Sequence, residues 1–308
     1  IFIGFTLLCV AACSGGETGT GEDPINPGPI DTKDPIINQK ISIGPISEFG
    51  SVVVNGVHYT VNENTLITLD GTKISEKDLS IGMLAKVTGS INSDALTGVA
   101  TKIEIENAVA GVVQENNIGT DSSLLVSGQT VVVNNDTVLK SLLASVKTFS
   151  DITKGRFLQV NGFVVGDGTI YAQFITVVSE ITQGNELYVL NGWVGSLSAV
   201  DFNFNIGAQV INYFPDTTVF INLTLVELLD GIFLRVEASQ GDLLNDPIID
   251  PLSANSIELI EKVYEEQGTE LTLFGIVTSD GVTNGEFTLT DRTIIIDAAT
   301  EFTQGNSD

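Results

Sequence analysis

The sequence has little cysteine, histidine and basic charge, and each shortage excludes a class of function. The only cysteines are Cys9 and Cys13, and His58 is the only histidine. A zinc site of the usual type needs several such ligands, so we expect no metal centre of that kind. The sequence has 13 basic and 39 acidic residues, and the resulting net charge of −26 argues against a nucleic-acid partner.

Catalytic motifs are also missing. The sequence contains no GxSxG nucleophile elbow and no GxxxxGK[ST] phosphate loop. Two carboxylates held in a cleft can hydrolyse glycosides, but no pair stands out among 39 acids. We therefore predict a non-enzymatic protein without a cofactor, with a carboxylate-dependent hydrolase as a remaining alternative.

Long hydrophobic runs are absent except at the start. Residues 1–12 form an apolar stretch of about twelve residues, too short for the roughly 20 that span a bilayer and typical of a secretory signal. Val10-Ala11-Ala12-Cys13 resembles the bacterial lipobox, which implies lipidation of Cys13 and anchoring to a lipid bilayer. By resemblance to Gram-negative lipoproteins, Ser14 after this cysteine favours the outer membrane, facing the periplasm or the cell surface. A truncated transmembrane anchor or a plain signal peptide are the alternatives.

Residues 14–40 are rich in Gly, Pro, Thr and acids and show no periodicity. Such a segment buries too little apolar surface to order itself, so we predict a tether. A flexible coil of this length averages about 25 to 30 Å end to end, and the folded part then stands off the membrane.

The remaining sequence, 43% hydrophobic over the whole chain, repeats one unit about three and a half times. Gly44, Gly111, Gly192 and Gly275 each precede a β-branched residue by two positions. The copies also match at a threonine (Thr65, Thr137, Thr217 and Thr300) and at a glycine three residues after Leu or Ile (Gly82, Gly155 and Gly231). A valine lies five residues after that glycine (Val87, Val160 and Val236), and an AxxI motif begins at an alanine further on (Ala100, Ala172 and Ala254).

Each unit predicts five short strands with tight turns such as Asn55-Gly56. In the second copy Leu139, Leu142, Leu143 and Val146 have helical spacing, which predicts a short helix between strands three and four. This order is that of an OB-like barrel, so the predicted fold is all-β, with tandem small antiparallel barrels. The predicted segments are 1–13 (signal), 14–40 (tether), 41–107, 108–184 and 185–264 (barrels), and 265–308 (an incomplete fourth copy).

The unit resembles a bacterial family, the domain of unknown function numbered 5666. GPISEFGSVVVNGVHYTV, LSIGMLAKVTG and ATKIEI are typical of it, and the resemblance extends over about residues 41–308. It implies tandem domains in an exported lipoprotein and implies no activity. The third copy departs most, at Trp193 and Ala238.

Two side-chain clusters are candidate sites. Tyr188, Trp193, Phe202 and Phe204 lie close in sequence in the third copy, and they form either a sugar-stacking platform or part of the core. Asp242, Asn245, Asp246 and Asp250 offer oxygen ligands for calcium, or belong to a solvated loop, and they lack EF-hand spacing. His58 is expected to be a plain strand residue.

Taken together, these features predict a membrane-anchored exported lipoprotein that binds a protein or glycan partner, or acts as a spacer or scaffold. A carbohydrate-binding module centred on the third copy is the first alternative.

Overall fold

The computed structural model describes residues 40–180, 186–240, 251–260, 271–278, 285–290, 292–297 and 300, and the backbone of strand β1 (Phe5–Thr6). Over these residues the protein is nearly all β, as predicted. The described part contains no helix of the length and apolarity that crossing a membrane requires. Cys13 and the acids at 242, 246 and 250 lie outside the described residues.

Copy 1 folds as a short-stranded sheet that closes on itself. Its strands are β2 (Lys40–Glu48), β3 (Val52–Val54), β4 (Val57–Thr60), β5 (Leu66–Leu69), β6 (Thr72–Lys73), β7 (Leu84–Ile91) and β8 (Thr97–Ile105). Hydrogen bonding runs β2–β3–β4–β8–β7 and returns to β2, which makes a closed five-stranded barrel. Strand β5 continues the line of β4 along β8, and both run parallel to it.

Turn chemistry explains why these strands pair. Asn55 and Gly56 both have positive φ, 53° and 78°, as a tight turn between β3 and β4 requires. Within β4, the buried residues Val57 and Tyr59 alternate with the exposed residues His58 and Thr60, as the pleat of a strand requires.

Copies 2 and 3 repeat this pairing cycle. Copy 2 contains β9 (Val109–Asn117), β10 (Ser123–Val126), β11 (Gln129–Val132), β12 (Val138–Ser141), β13 (Arg156–Val164) and β14 (Ile170–Glu180). Copy 3 contains β15 (Tyr188–Ser198), β16 (Asn203–Ile206), β17 (Gln209–Asn212), β18 (Val219–Ile221), β19 (Phe233–Gln240) and β20 (Leu252–Leu259). The rings are β9–β10–β11–β14–β13 and β15–β16–β17–β20–β19.

A threonine clamp fixes the register of each copy. The Oγ1 atoms of Thr65, Thr137 and Thr218 donate to the carbonyls of Ala100, Ala172 and Ala254 at 2.8, 2.8 and 3.0 Å. The alanines are the ones matched from sequence, whereas the third threonine is Thr218 and not Thr217. The longer Phe214–Thr218 turn of copy 3 accounts for the one-residue slip.

The helix predicted on Leu139, Leu142, Leu143 and Val146 is wrong. Leu139 lies in strand β12, and Val146 follows it in a loop, where it is buried. Single-turn 3₁₀ helices occupy the slot instead, at Glu76–Asp78, Phe149–Asp151 and Leu225–Glu227. A short α-helix, α1 (Ile118–Asp121), lies between β9 and β10.

The copies are not structurally independent, because strands of different copies pair with one another. Strand β15 pairs with β9, so copies 2 and 3 share one 12-stranded sheet. The fourth copy contributes β21 (Leu271–Leu273), β22 (Glu286–Leu289) and β23 (Arg292–Ile295), and β21 adds in parallel to β2 of copy 1. The barrels keep distinct interiors, centred on residues such as Tyr59, Leu158 and Leu234.

Candidate functional site

The four copies meet around a cavity of about 210 Å³, which we call the central cavity. Every copy contributes to its wall. The lining includes Ile43, Leu84, Lys86, Glu104 and Glu106 from copy 1, Asn161 and Phe163 from copy 2, Asn191 and Phe233 from copy 3, and Phe274 and Arg292 from the fourth copy.

A buried ion pair beside this cavity joins copy 1 to copy 3. Arg235 Nη2 lies 3.1 Å from Asp70 Oδ1, and the two side chains are only 8% and 14% exposed. Asn107 donates to both oxygens of Asp70, from its backbone N–H at 2.9 Å and from Nδ2 at 2.6 Å. Arg235 also contacts Glu237 at 3.3 Å. Because a buried charge is tolerated only when it is paired, this ion pair fixes the position of copy 3 relative to copy 1.

Two asparagines add hydrogen bonds between copies, one from copy 2 to copy 1 and one from copy 3 to copy 1. Asn161 Oδ1 accepts from the Leu84 amide at 2.6 Å, and its Nδ2 donates to the carbonyls of Leu84 and Glu106 at 3.1 and 2.8 Å. Asn191 Nδ2 donates to the Asn107 carbonyl at 2.6 Å. Asparagine is depleted in strands, so an asparagine inside β13 or β15 was the available sequence signal for these contacts, and the sequence analysis missed it.

The cavity holds two carboxylates in different environments. Glu104 accepts from Lys102 at 2.6 Å and lies 3.6 Å from Lys86. Glu106 keeps contact with solvent, but its carboxyl forms no hydrogen bond or ion pair with the described part of the chain. Surrounding protein desolvates Glu106 and raises the pKa of its carboxyl; Glu104 and Asp70 add to this, and Arg235 and Lys86 oppose it.

Aromatic rings form the apolar part of the wall. Phe163 and Phe274 have ring centroids 6.1 Å apart. Phe233 is the direct cross-strand partner of Trp193, with an edge-to-face contact at 5.0 Å. The cavity therefore combines carboxylates, amides and aromatic faces.

The predicted sugar platform is split by the fold. Tyr188 and Phe204 are 1% and 0% exposed and pack in the core of copy 3, whereas Trp193 and Phe202 are 37% and 41% exposed. Phe202 precedes β16 with a φ of 53°, so it lies outside the strand that directs Phe204 into the core. Instead Phe202 and Phe204 both contact Tyr213, at 5.7 and 6.0 Å.

His58 lies on β4 with its side chain exposed, and its Nδ1 is 3.2 Å from Ser51 Oγ. Within the described residues, no group of three or more His, Cys, Asp or Glu side chains is arranged to hold a metal ion.

Comparison with known proteins gives one family. No curated protein matches the sequence. A family described as "Domain of unknown function (DUF5666)" matches at residues 43–104 and 110–176, which are copies 1 and 2 as the fold delimits them. The closed rings and threonine clamps of those segments recur in copy 3, outside the matched residues. Two tandem segments of the chain are thus similar to this family.

Proposed function

We propose that this protein is a lipid-tethered, non-enzymatic scaffold of the bacterial envelope, in which OB-like barrels are held in a fixed arrangement. The observation that carries the proposal is the buried Asp70–Arg235 pair with its Asn107 contacts, which joins copies far apart in sequence. Independent binding modules on one chain do not require an ion pair between copies. A scaffold that holds its copies at fixed distances does require such a link.

The OB-like assignment rests on strand order. In each copy the strands pair in the order 1-2-3-5-4-1, with strand three parallel to strand five. A single 3₁₀ turn takes the place between strands three and four that a helix occupies in larger members of this architecture.

Cys13 would supply the anchor and residues 14–40 the tether. The test is palmitate labelling in a bacterial host, followed by membrane fractionation. Cys13→Ser should lose both the label and membrane association, and Cys9→Ser, the matched control, should keep both. Label retained in Cys13→Ser contradicts the anchor.

Small-angle scattering tests the fixed arrangement. The wild-type chain should scatter as one compact particle, and Arg235→Met should increase its radius of gyration because copies 1 and 3 separate. Arg156→Met is the control, because Arg156 pairs with Glu180 inside copy 2. Wild-type scattering typical of freely moving barrels would overturn the scaffold.

A carboxylate-dependent hydrolase is a second candidate, favoured by the raised pKa of Glu106 in a concave cavity that also contains Glu104. A carboxyl with a raised pKa beside a second acidic residue is typical of acid–base sites. Hydrolysis of chromogenic glycosides that Glu106→Gln abolishes, and that exposed Glu115→Gln leaves intact, supports this function. No turnover by the wild type removes it.

A carbohydrate-binding role has narrower support, from the partly exposed rings of Trp193 and Phe202. Glycan-array binding that Trp193→Ala removes and Phe49→Ala retains would favour it, since Phe49 is also exposed but lies in copy 1.

A further inference from the structure

The contact between copies 1 and 2 uses a surface that every copy possesses. Gly82 of copy 1 lies against Val138 and Phe174 of copy 2, so closely that a Cβ on Gly82 would come within 2.5 Å of Val138 Cγ2. Two residues later, the backbone of Leu84 is held by Asn161. A glycine turn of one copy thus docks on three neighbouring side chains of the next.

These three side chains have register equivalents in the other copies. Val138 pairs with Phe174, and Phe174 with Asn161, across β12, β14 and β13. The same pairings give Leu66, Lys102 and Thr88 in copy 1, and Val219, Ser256 and Glu237 in copy 3. We call these triplets the acceptor faces.

The acceptor face of copy 1 is open. Leu66, Lys102 and Thr88 line a surface groove of about 420 Å³ that also includes Ile41, Lys86 and Glu104. Leu66 is 39% exposed, and the side chains of Lys86 and Lys102 are 42% and 41% exposed. With two lysines and one glutamate, this groove carries a local charge of +1 on a protein of net charge −26.

Two glycine turns are free to fill such a groove. Gly155 and Gly231 have φ values of 87° and 83°, close to the 90° of Gly82, and no atom of the described residues lies within 4 Å of a Cβ position on either. The turn of copy 2 is basic through Lys154, because Arg156 on the other side of Gly155 pairs with Glu180. The turn of copy 3 carries Leu229, which is 57% exposed, and Asp230.

We infer that the Leu229–Asp230–Gly231 turn of one molecule docks on the acceptor face of copy 1 of a second molecule of this chain. The apolar and acidic turn complements a groove of Leu66, Ile41 and lysines, whereas the basic turn of copy 2 is repelled by it. Because the two surfaces differ, the contact is heterologous and builds head-to-tail chains or rings. The high net charge opposes association, so the contact forms at physiological ionic strength, where charges more than about 8 Å apart are largely screened from one another.

Sedimentation velocity of the full chain in detergent, at physiological salt and over a concentration series, tests the inference. The wild type should self-associate. Leu229→Asp, which removes the apolar contact, and Lys102→Glu, which reverses a charge of the groove, should each weaken association about ten-fold or more. Leu142→Asp, at an equally exposed leucine of copy 2, is the matched control and should change nothing.

A charge exchange separates the contact from a folding defect. A chain that carries both Lys102→Glu and Leu229→Lys should associate again, because the new lysine of its turn meets the new glutamate in the groove of the next molecule. A wild type that stays monomeric over the series overturns the inference. So does an association that Leu229→Asp and Lys102→Glu leave unchanged, or one that the double variant fails to restore.

Discussion

At the scale of single residues, the threonine clamp is the contact that recurs most regularly. Thr137 is 8% exposed, and its Oγ1 donates to the Ala172 carbonyl at 2.8 Å. Thr137→Val keeps the shape but leaves that buried carbonyl without its donor, so we expect unfolding free energy to fall by about 1 to 2 kcal/mol. Thr130→Val, at an exposed position of β11, is the control and should stay near the wild type. Urea unfolding measures both, and equal effects would contradict a role for the hydroxyl.

The acidic residues of the 3₁₀ turns give a pH dependence. Hydrogen bonds from the side chain and then the backbone of Ser75 lower the pKa of Asp78. A lowered pKa in the folded state means that the stabilisation is present above the unfolded pKa and is lost as pH falls through the folded one. Ser75→Ala should therefore raise the pKa of Asp78 in a carbon-detected NMR titration. Ser93→Ala, at an exposed loop residue, should not, and an unmoved pKa in Ser75→Ala would refute the assignment.

At the scale of elements, the glycine turns provide a paired comparison. Gly82→Ala and Gly231→Ala impose the same left-handed backbone strain, of order 1 to 3 kcal/mol. Only at Gly82 does the new methyl meet Val138, which adds about 1 to 3 kcal/mol of overpacking. Chemical denaturation should thus show a larger loss for Gly82→Ala. Equal losses of unfolding free energy in Gly82→Ala and Gly231→Ala would mean that copy 2 moves away from the new methyl group at residue 82 without a cost in stability.

Strand positions and turns were predictable from the sequence, because alternation and residues such as Asn55-Gly56 act locally. The strand and loop at 139–146 were not predictable, because the leucines spaced by three and four that indicated a helix also fit a strand followed by a loop that turns back into the core. A better local signal was present. Ser75/Asp78, Thr148/Asp151 and Thr224/Glu227 have capping-box spacing, and each pair closes one 3₁₀ turn.

The candidate site was largely beyond sequence reasoning. Self-comparison finds the copies, but residues that differ between copies decide how the copies pack. Arg235 and Asp70 belong to different copies and have no matched equivalents, so no repeat pattern indicates that they meet. The aromatic cluster of copy 3 was visible, yet burial of Tyr188 and Phe204 follows from the barrel interior and from the contact of Tyr188 with Phe157 at 5.3 Å.

At the scale of the whole molecule, the buried ion pair predicts a strong coupling between copies. Arg235→Met leaves Asp70 charged and buried, so we expect a loss of about 3 to 5 kcal/mol of unfolding free energy. Asp70→Asn combined with Arg235→Met removes the uncompensated charge and keeps an acceptor for Asn107, so the double variant should be more stable than Arg235→Met alone. Thermal and urea unfolding check this order, and a double variant less stable than Arg235→Met would contradict it.

The pairing of β21 with β2 joins Leu271–Leu273 to Ile41–Ile43, more than 200 residues apart in the chain. A polypeptide that is synthesised from its amino terminus presents β2 long before its partner β21 is made. During that interval this strand edge of copy 1 has no β21 to cover it, and it is then open to pairing with other chains. The order of synthesis, as much as the final contacts, therefore determines how far this protein avoids aggregation while it folds.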